Sequence, residues 1–252
     1  MAEPVYGPVI VAAKTLFTCL GIDVTMQGTG YVPRQGGAVL ASNHVGYLDF
    51  IFAGLGADPS GRHVRFMAKD SIWKHPVGGP LMRGMKHIPV DRDAGADSFL
   101  VAREALRRGE IVGIFPEATI SRSFELKEFK SGVARLAQDS GVPILPTVVW
   151  GTQRFMTKGR PRDFSRGKAV LITIGEPIDV PAGADLDEVT RRLQEDMRAL
   201  LAETMDRYPQ APHGPDDTWW IPASRGGTAP TPSEATRLDR LELLERARRK
   251  TP

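Results

Sequence analysis

The chain has 252 residues, 41% of them hydrophobic and 25% charged, with a formal net charge of +3. That is enough chain for one large core with a tail, and the profile is that of an ordinary soluble or surface-associated protein. The single cysteine, Cys19, excludes an intrachain disulfide and a cysteine-cluster metal site, and no dense basic stripe with interleaved aromatics supports a nucleic-acid partner.

In chain order, 5–20 has apolar residues near helical spacing (Val9, Ile10, Ala13, Leu16, Phe17, Leu20) and reads as a first helix, packed on the domain or resting on lipid. The start has neither a signal-peptide pattern nor, anywhere later, about 18 consecutive apolar residues, so neither secretion nor a spanning helix is expected. Strands are expected at 22–26, around Val39, at 64–68, 88–90, 111–115, 142–149 and 169–174. Pro89 marks the 88–90 strand as edge-like. Helices are expected from Asp49 to about Gly54, over 96–108, 130–138 and 186–208, with at most a broken helix over 72–85. The basic loop 159–168 reads as a solvated face. Alternating short apolar runs and helical stretches predict an α/β fold: a largely parallel or mixed central sheet flanked by helices, with an N-terminal helical region. Composition shifts after Tyr208, which predicts a domain over 1–208 and a Pro/Gly-rich extension over 209–252. The extension carries an ordered patch at Trp219-Trp220 and a short charged helix over 237–250.

The stretch Ala38 to Phe50 is where chemistry concentrates. It reads as a short buried strand, a polar break at Asn43 and His44, and a helix beginning near Asp49. On one continuous helix, residues five apart point about 140° away from each other. His44 and Asp49 can meet only if the histidine lies in the bend and the aspartate in the first turns. One ring nitrogen would then donate to the carboxylate and the other could accept a proton, as a general base does. A structural histidine satisfied by a nearby carboxylate has the same spacing. Other polar groups follow predicted strands: Lys69, Arg92, then Glu117, Thr119 and Arg122, with Thr147 after Pro146. In a parallel sheet such groups gather along one edge. Arg92 and Arg122 suit phosphate, since guanidinium is a rigid fork of donors, with Lys69, Lys127 and Lys130 as weaker additions. Glu117 suits a substrate hydroxyl, an arginine or the local turn. The serine-hydrolase elbow, the P-loop, the dinucleotide fingerprint and the zinc-protease pair of histidines are missing.

Asn43-His44-x-x-x-x-Asp49 resembles the first signature of the glycerolipid acyltransferase superfamily, which includes the glycerol-phosphate and 1-acyl-sn-glycerol-3-phosphate acyltransferases. Gly84 through Ile88-Pro89-Val90-Asp91-Arg92 is similar to its second block, Phe115-Pro116-Glu117-Ala118-Thr119-Ile120-Ser121-Arg122-Ser123 to its third, and Val142-Pro143-Ile144-Leu145-Pro146 to its fourth. Phe129-Lys130-x-Gly132 resembles the segment after the third block. The resemblance implies direct acyl transfer from acyl-CoA, or acyl-carrier protein, to the hydroxyl of lysophosphatidic acid or glycerol 3-phosphate. It implies His44 as base and Asp49 as its orienter, without a metal, cofactor or enzyme nucleophile. It also implies acceptor binding by Arg92, Glu117 and Arg122, and a peripheral position on a membrane lipid surface at the cytoplasmic side of the cell membrane. Two positions depart from the family's usual Phe-Pro-Glu-Gly-Thr-Arg: Ala118 replaces the glycine and Ile120 the arginine. The acceptor can therefore be another lysolipid or a lipid alcohol. A metal-dependent phosphate-ester hydrolase and a non-catalytic lipid-binding protein are the other function classes.

Overall fold

Strand β2, Ala38–Ser42, is buried along its whole length, because it has a hydrogen-bonded neighbour on each edge and a layer of helices over each face. The computed structural model describes residues 4–91 and 95–248. The other strands are β1 (Asp23–Gln27), β3 (Val64–Lys69), β4 (Ile88–Val90), β5 (Ile111–Ile114), β6 (Ile144–Trp150) and β7 (Ala169–Ile174). The helices are α1 (Tyr6–Cys19), α2 (Asp49–Leu55), α3 (Gly78–Gly84), α4 (Gly95–Arg107), α5 (Gly132–Ser140), α6 (Leu186–Asp206) and α7 (Pro232–Arg248). The sheet runs β1-β7-β6-β2-β5-β3-β4. Every neighbouring pair is parallel except the antiparallel β6 and β7. This is the mixed sheet with flanking helices and an N-terminal helix that the alternation of segments predicts.

Side chains alternate across a strand, and β2 shows the result. Val39 and Ala41 join α4, α5 and α6 in one apolar layer through Ala102, Leu106, Val133, Leu136, Leu193 and Met197. Ala38 and Leu40 face the opposite layer with Phe17 of α1, Phe52 of α2, and Val170 and Ile172 of β7. Helix α1 is thus packed on the domain. Phe17 stacks on Phe52 at 4.6 Å and the Tyr6 hydroxyl donates to the Val64 carbonyl at 2.9 Å, while Val11 and Leu16 remain exposed. Among the described residues no helix is long and apolar enough to cross a membrane.

The parallel direction of β2 to β6 carries their C-terminal ends to one edge. Pro89 sits on β4, the outermost strand, where a missing ladder donor is tolerated. The 72–85 stretch is indeed broken, with a 3-10 turn over Asp70–Lys74 before α3. Two expectations need correction. The loop 159–168 is not wholly a solvated face: Lys168 is buried, with its ammonium on Asp163 at 3.0 Å and over the Phe155 ring at 5.2 Å. The last helix starts at Pro232 rather than 237. Thr231-Pro232-Ser233-Glu234 is a capping box: Glu234 Oε2 accepts from the Thr231 amide at 2.9 Å, and Thr231 Oγ1 accepts from the Glu234 amide at 3.4 Å.

Trp220 and Ala229 are buried in a third apolar cluster with Val45, Phe124, Val148, Trp150 and Leu201. Arg154 lies 4.6 Å over the Trp220 ring. Truncating so large a buried ring leaves a cavity, so Trp220→Ala is expected to lower unfolding free energy by about 3–5 kcal/mol. Half-buried Trp219→Ala should lower it less. Urea unfolding checks this, and an unchanged midpoint for Trp220→Ala would detach the extension from the core.

Candidate active site

The turn leaving β2 is built on side chains that replace backbone partners. The amide of Asn43 behaves as one more peptide unit of the sheet. Its Nδ2 donates to the Val149 carbonyl at 3.0 Å and its Oδ1 accepts from the Val149 amide at 2.7 Å. The main chain is then free to turn while the ladder with β6 continues. His44 follows in the bend, and Asp49 opens α2. His44 Nδ1 and Asp49 Oδ2 are 2.9 Å apart. The two residues meet as the bend-then-helix reading requires.

Asp49 is fully buried, a position that demands compensation of its charge. Oδ2 also accepts from the amides of Val45 at 2.6 Å and Gly46 at 2.8 Å. Oδ1 accepts from the hydroxyl of Thr152. A carboxylate only accepts, so the proton of this pair sits on His44 Nδ1 and Nε2 is left as the basic nitrogen. The imidazole side chain is 19% exposed and stacks face to face on Phe115, 4.0 Å between centroids. Ring and carboxylate together hold one tautomer in one plane. Gly46 lets the turn pack closely on the loop after β6: a Cβ would lie 3.0 Å from the Thr152 carbonyl oxygen.

Glu117, beyond β5, is buried. Its Oε1 accepts from the His44 amide at 2.8 Å and its Oε2 from the Lys127 amide at 3.0 Å. Of the three roles open to it, the structure shows the local one, joining two loops. Burial pushes its carboxyl up to about 8, against the two amides and the charge of Lys127, with nearby Asp49 adding to the rise. Ala118, where the family's block has glycine, adopts a left-handed backbone with φ of 58°. Ile120, at the arginine position, is buried.

The remaining expected residues scatter more widely. Thr119 accepts from Lys158 Nζ at 2.7 Å. Arg122 pairs with α7, its Nε on Asp239 at 3.0 Å and a terminal nitrogen on Glu242 at 2.8 Å. Lys69 ends β3 and Lys130 lies past the third block, both exposed. Pro146 and Thr147 lie within β6, as the 142–149 strand has them, with Pro146 beside Ala41, and the polar group beyond that strand is Thr152. Arg92 lies outside the described residues. Among those described, no three His, Cys, Asp or Glu side chains converge as a metal-ligand set.

The sequence profile of the family described as Acyltransferase matches residues 23–150, from β1 to the end of β6. The chain belongs to the acyltransferase family. This acyltransferase is 32% identical over 196 residues to the 1-acyl-sn-glycerol-3-phosphate acyltransferase of Bacillus subtilis, a match covering 75% of this chain and 93% of that protein. A protein of the same name from Borreliella burgdorferi is 29% identical, over 64% of this chain and 63% of its own length. The fold matches the crystal structure of the 1-acyl-sn-glycerophosphate (LPA) acyltransferase, PlsC, from Thermotoga maritima, with a TM-score of 0.68 and 24% identity over 81% of each chain.

Three residues of the acyltransferase's site were missed in the sequence. Thr152 binds Asp49, Thr157 Oγ1 donates to the Val45 carbonyl at 2.6 Å, and Lys158 joins the third block. The one available signal was that all three follow a strand end, which is weak for common loop residues.

Two stability predictions follow from the third block. Relieving the left-handed Ala118 by Ala118→Gly should raise stability by up to about 1 kcal/mol, read by urea unfolding; a loss would show the backbone unstrained. Glu117 in the folded state keeps its proton to about pH 8, whereas its unfolded value is 4.5. The folded form therefore holds the extra proton, and this contribution is full below pH 4.5 and lost as pH rises through 8. The Tm advantage of the wild type over Glu117→Gln should narrow across that window. A constant difference would mean the carboxyl titrates at its ordinary value.

Proposed function

We propose that this acyltransferase moves an acyl group from acyl-CoA to the free hydroxyl of 1-acyl-sn-glycerol 3-phosphate, with His44 as general base and Asp49 as its orienter. The observation that carries the reading is the buried Asp49 carboxylate on His44 Nδ1 at 2.9 Å, in a ring that keeps solvent access. Nε2 takes the proton of the acceptor hydroxyl as its oxygen attacks the thioester carbonyl carbon. The tetrahedral intermediate collapses, the carbon–sulfur bond breaks, and the CoA thiolate leaves with the proton returned by the imidazolium. Neither a metal nor an enzyme nucleophile is needed in that sequence.

The activity by which the relatives are named, together with the block resemblance, supports the donor and acceptor. Acyl-carrier protein would present the same thioester. Arg92 and Arg122 are assigned to the acceptor phosphate, with Lys69 and Lys130 on the rim. Glu117 serves through the two amides it holds. The protein rests peripherally on the cytoplasmic face of the cell membrane, to which Val11 and Leu16 of α1 offer exposed apolar side chains. Buried Ile120 in place of a cation favours a second acceptor reading, a lysolipid without a free phosphomonoester.

The test is purified protein with palmitoyl-CoA and either 1-acyl-sn-glycerol 3-phosphate, glycerol 3-phosphate or an alternative lysolipid, following thiol release and identifying the product. His44→Ala should slow turnover by about 10²–10⁴-fold while the folded circular-dichroism spectrum is retained at assay temperature. Equal turnover in that variant would remove His44 from the chemistry.

A further inference from the structure

Helix α7 meets the body of the protein through a narrow, charged seam. Of its described side chains only Ala235 is buried, and Leu238, Asp239 and Glu242 are half-buried. These fall at i, i+3, i+4 and i+7, one face of a helix. Leu241, Leu243 and Leu244 are exposed, so little apolar packing holds the helix in place. What it touches is a cluster of three cations. Asp239 Oδ1 takes Arg122 Nε at 3.0 Å and Lys158 Nζ at 3.1 Å, and Oδ2 takes Lys127 Nζ at 2.6 Å. Glu242 adds a second carboxylate on Arg122 at 2.8 Å and 3.9 Å from Lys158.

Each cation is wired to the catalytic turn. Arg122 follows Ser121, whose amide donates to the His44 carbonyl at 2.7 Å. Lys127 shares Glu117 with the His44 amide. Lys158 follows Thr157, which donates to the Val45 carbonyl, and itself donates to Thr119. Three cations around one carboxylate, on loops tied to the His44 turn, are what a phosphomonoester would require, and its charge of about −1.5 to −2 near neutral pH matches the two carboxylates that α7 supplies. Lys158 also brings a positive charge to Thr119, next to the position where Ile120 has replaced one.

We propose that α7 is a built-in competitor of the acidic acceptor: Asp239 and Glu242 fill the Arg122–Lys127–Lys158 cluster that the acceptor's phosphate needs, and the helix leaves when that phosphate arrives. The proposal rests on the acyl-transfer reading for its acceptor. Lys158 is thereby a phosphate-binding residue, and α7 a determinant of how readily a phosphorylated acceptor is used.

The full-length chain carrying Asp239→Asn and Glu242→Gln tests it in thiol-release kinetics with palmitoyl-CoA and either 1-oleoyl-sn-glycerol 3-phosphate or uncharged 1-oleoylglycerol. The KM for the phosphorylated acceptor should fall by about tenfold, a typical coupling between competing occupants, and the KM for the uncharged one should not move. A phosphorylated-acceptor KM that is unchanged or raised overturns the proposal. Hydrogen exchange on the wild type is independent of turnover and of how the variant folds. Amides of 232–248 should lose protection with 1-oleoyl-sn-glycerol 3-phosphate and keep it with 1-oleoylglycerol; retained protection with both overturns the proposal. Absence of thiol release with every acceptor would count against acyl transfer alone, because the exchange result still reads whether a phosphate displaces the helix.

Discussion

Four donors converge on the buried carboxylate of Asp49: a ring nitrogen, two backbone amides and a hydroxyl. An ionised carboxylate placed in a protein interior loses several kcal/mol of hydration, and only a full set of hydrogen bonds makes the position tenable. The donors come from two pieces of chain, the turn after β2 and the loop after β6, and the carboxylate from a third, the start of α2. Satisfying one charge therefore fixes the relative placement of all three. The orientation of His44 is a by-product of that settlement rather than an added feature.

Around this anion the surrounding groups are arranged in order of burial. Glu117, without solvent, ties the His44 backbone to the loop carrying Lys127. Farther out, Arg122, Lys127 and Lys158 form a positive rim that α7 neutralises. The imidazole itself lies against an apolar wall, Phe115. A substrate with a hydroxyl near an acidic headgroup is the kind of molecule such a gradient selects.

What could be read in advance followed the range of the physical signal. His44 and Asp49 were legible because their encounter depends on a bend and a helix start within one short stretch. The meeting of Glu117 with the His44 turn at one edge was legible because parallel strands impose it. Thr152 was not, because it meets Asp49 from 103 positions away in sequence and only once the sheet has folded. Lys168 looked like any loop lysine, since its partners Asp163 and Phe155 become a pocket only after folding. The docking of α7 joins residues about a hundred positions apart by charge, and charge complementarity leaves no periodic trace in a sequence. Its start at Pro232 is signalled by the Thr231–Glu234 capping pattern, while the leucine spacing alone points to a later start.

The side chain of Asn43 has one more implication. Because its amide completes two bonds with Val149 where the main chain has already turned away, the His44 turn is anchored to strand β6 of the central sheet. The ordering entropy of the reactive ring is settled during folding and does not recur in each encounter with a lipid. A loop of ordinary mobility would have to find its pose again every time.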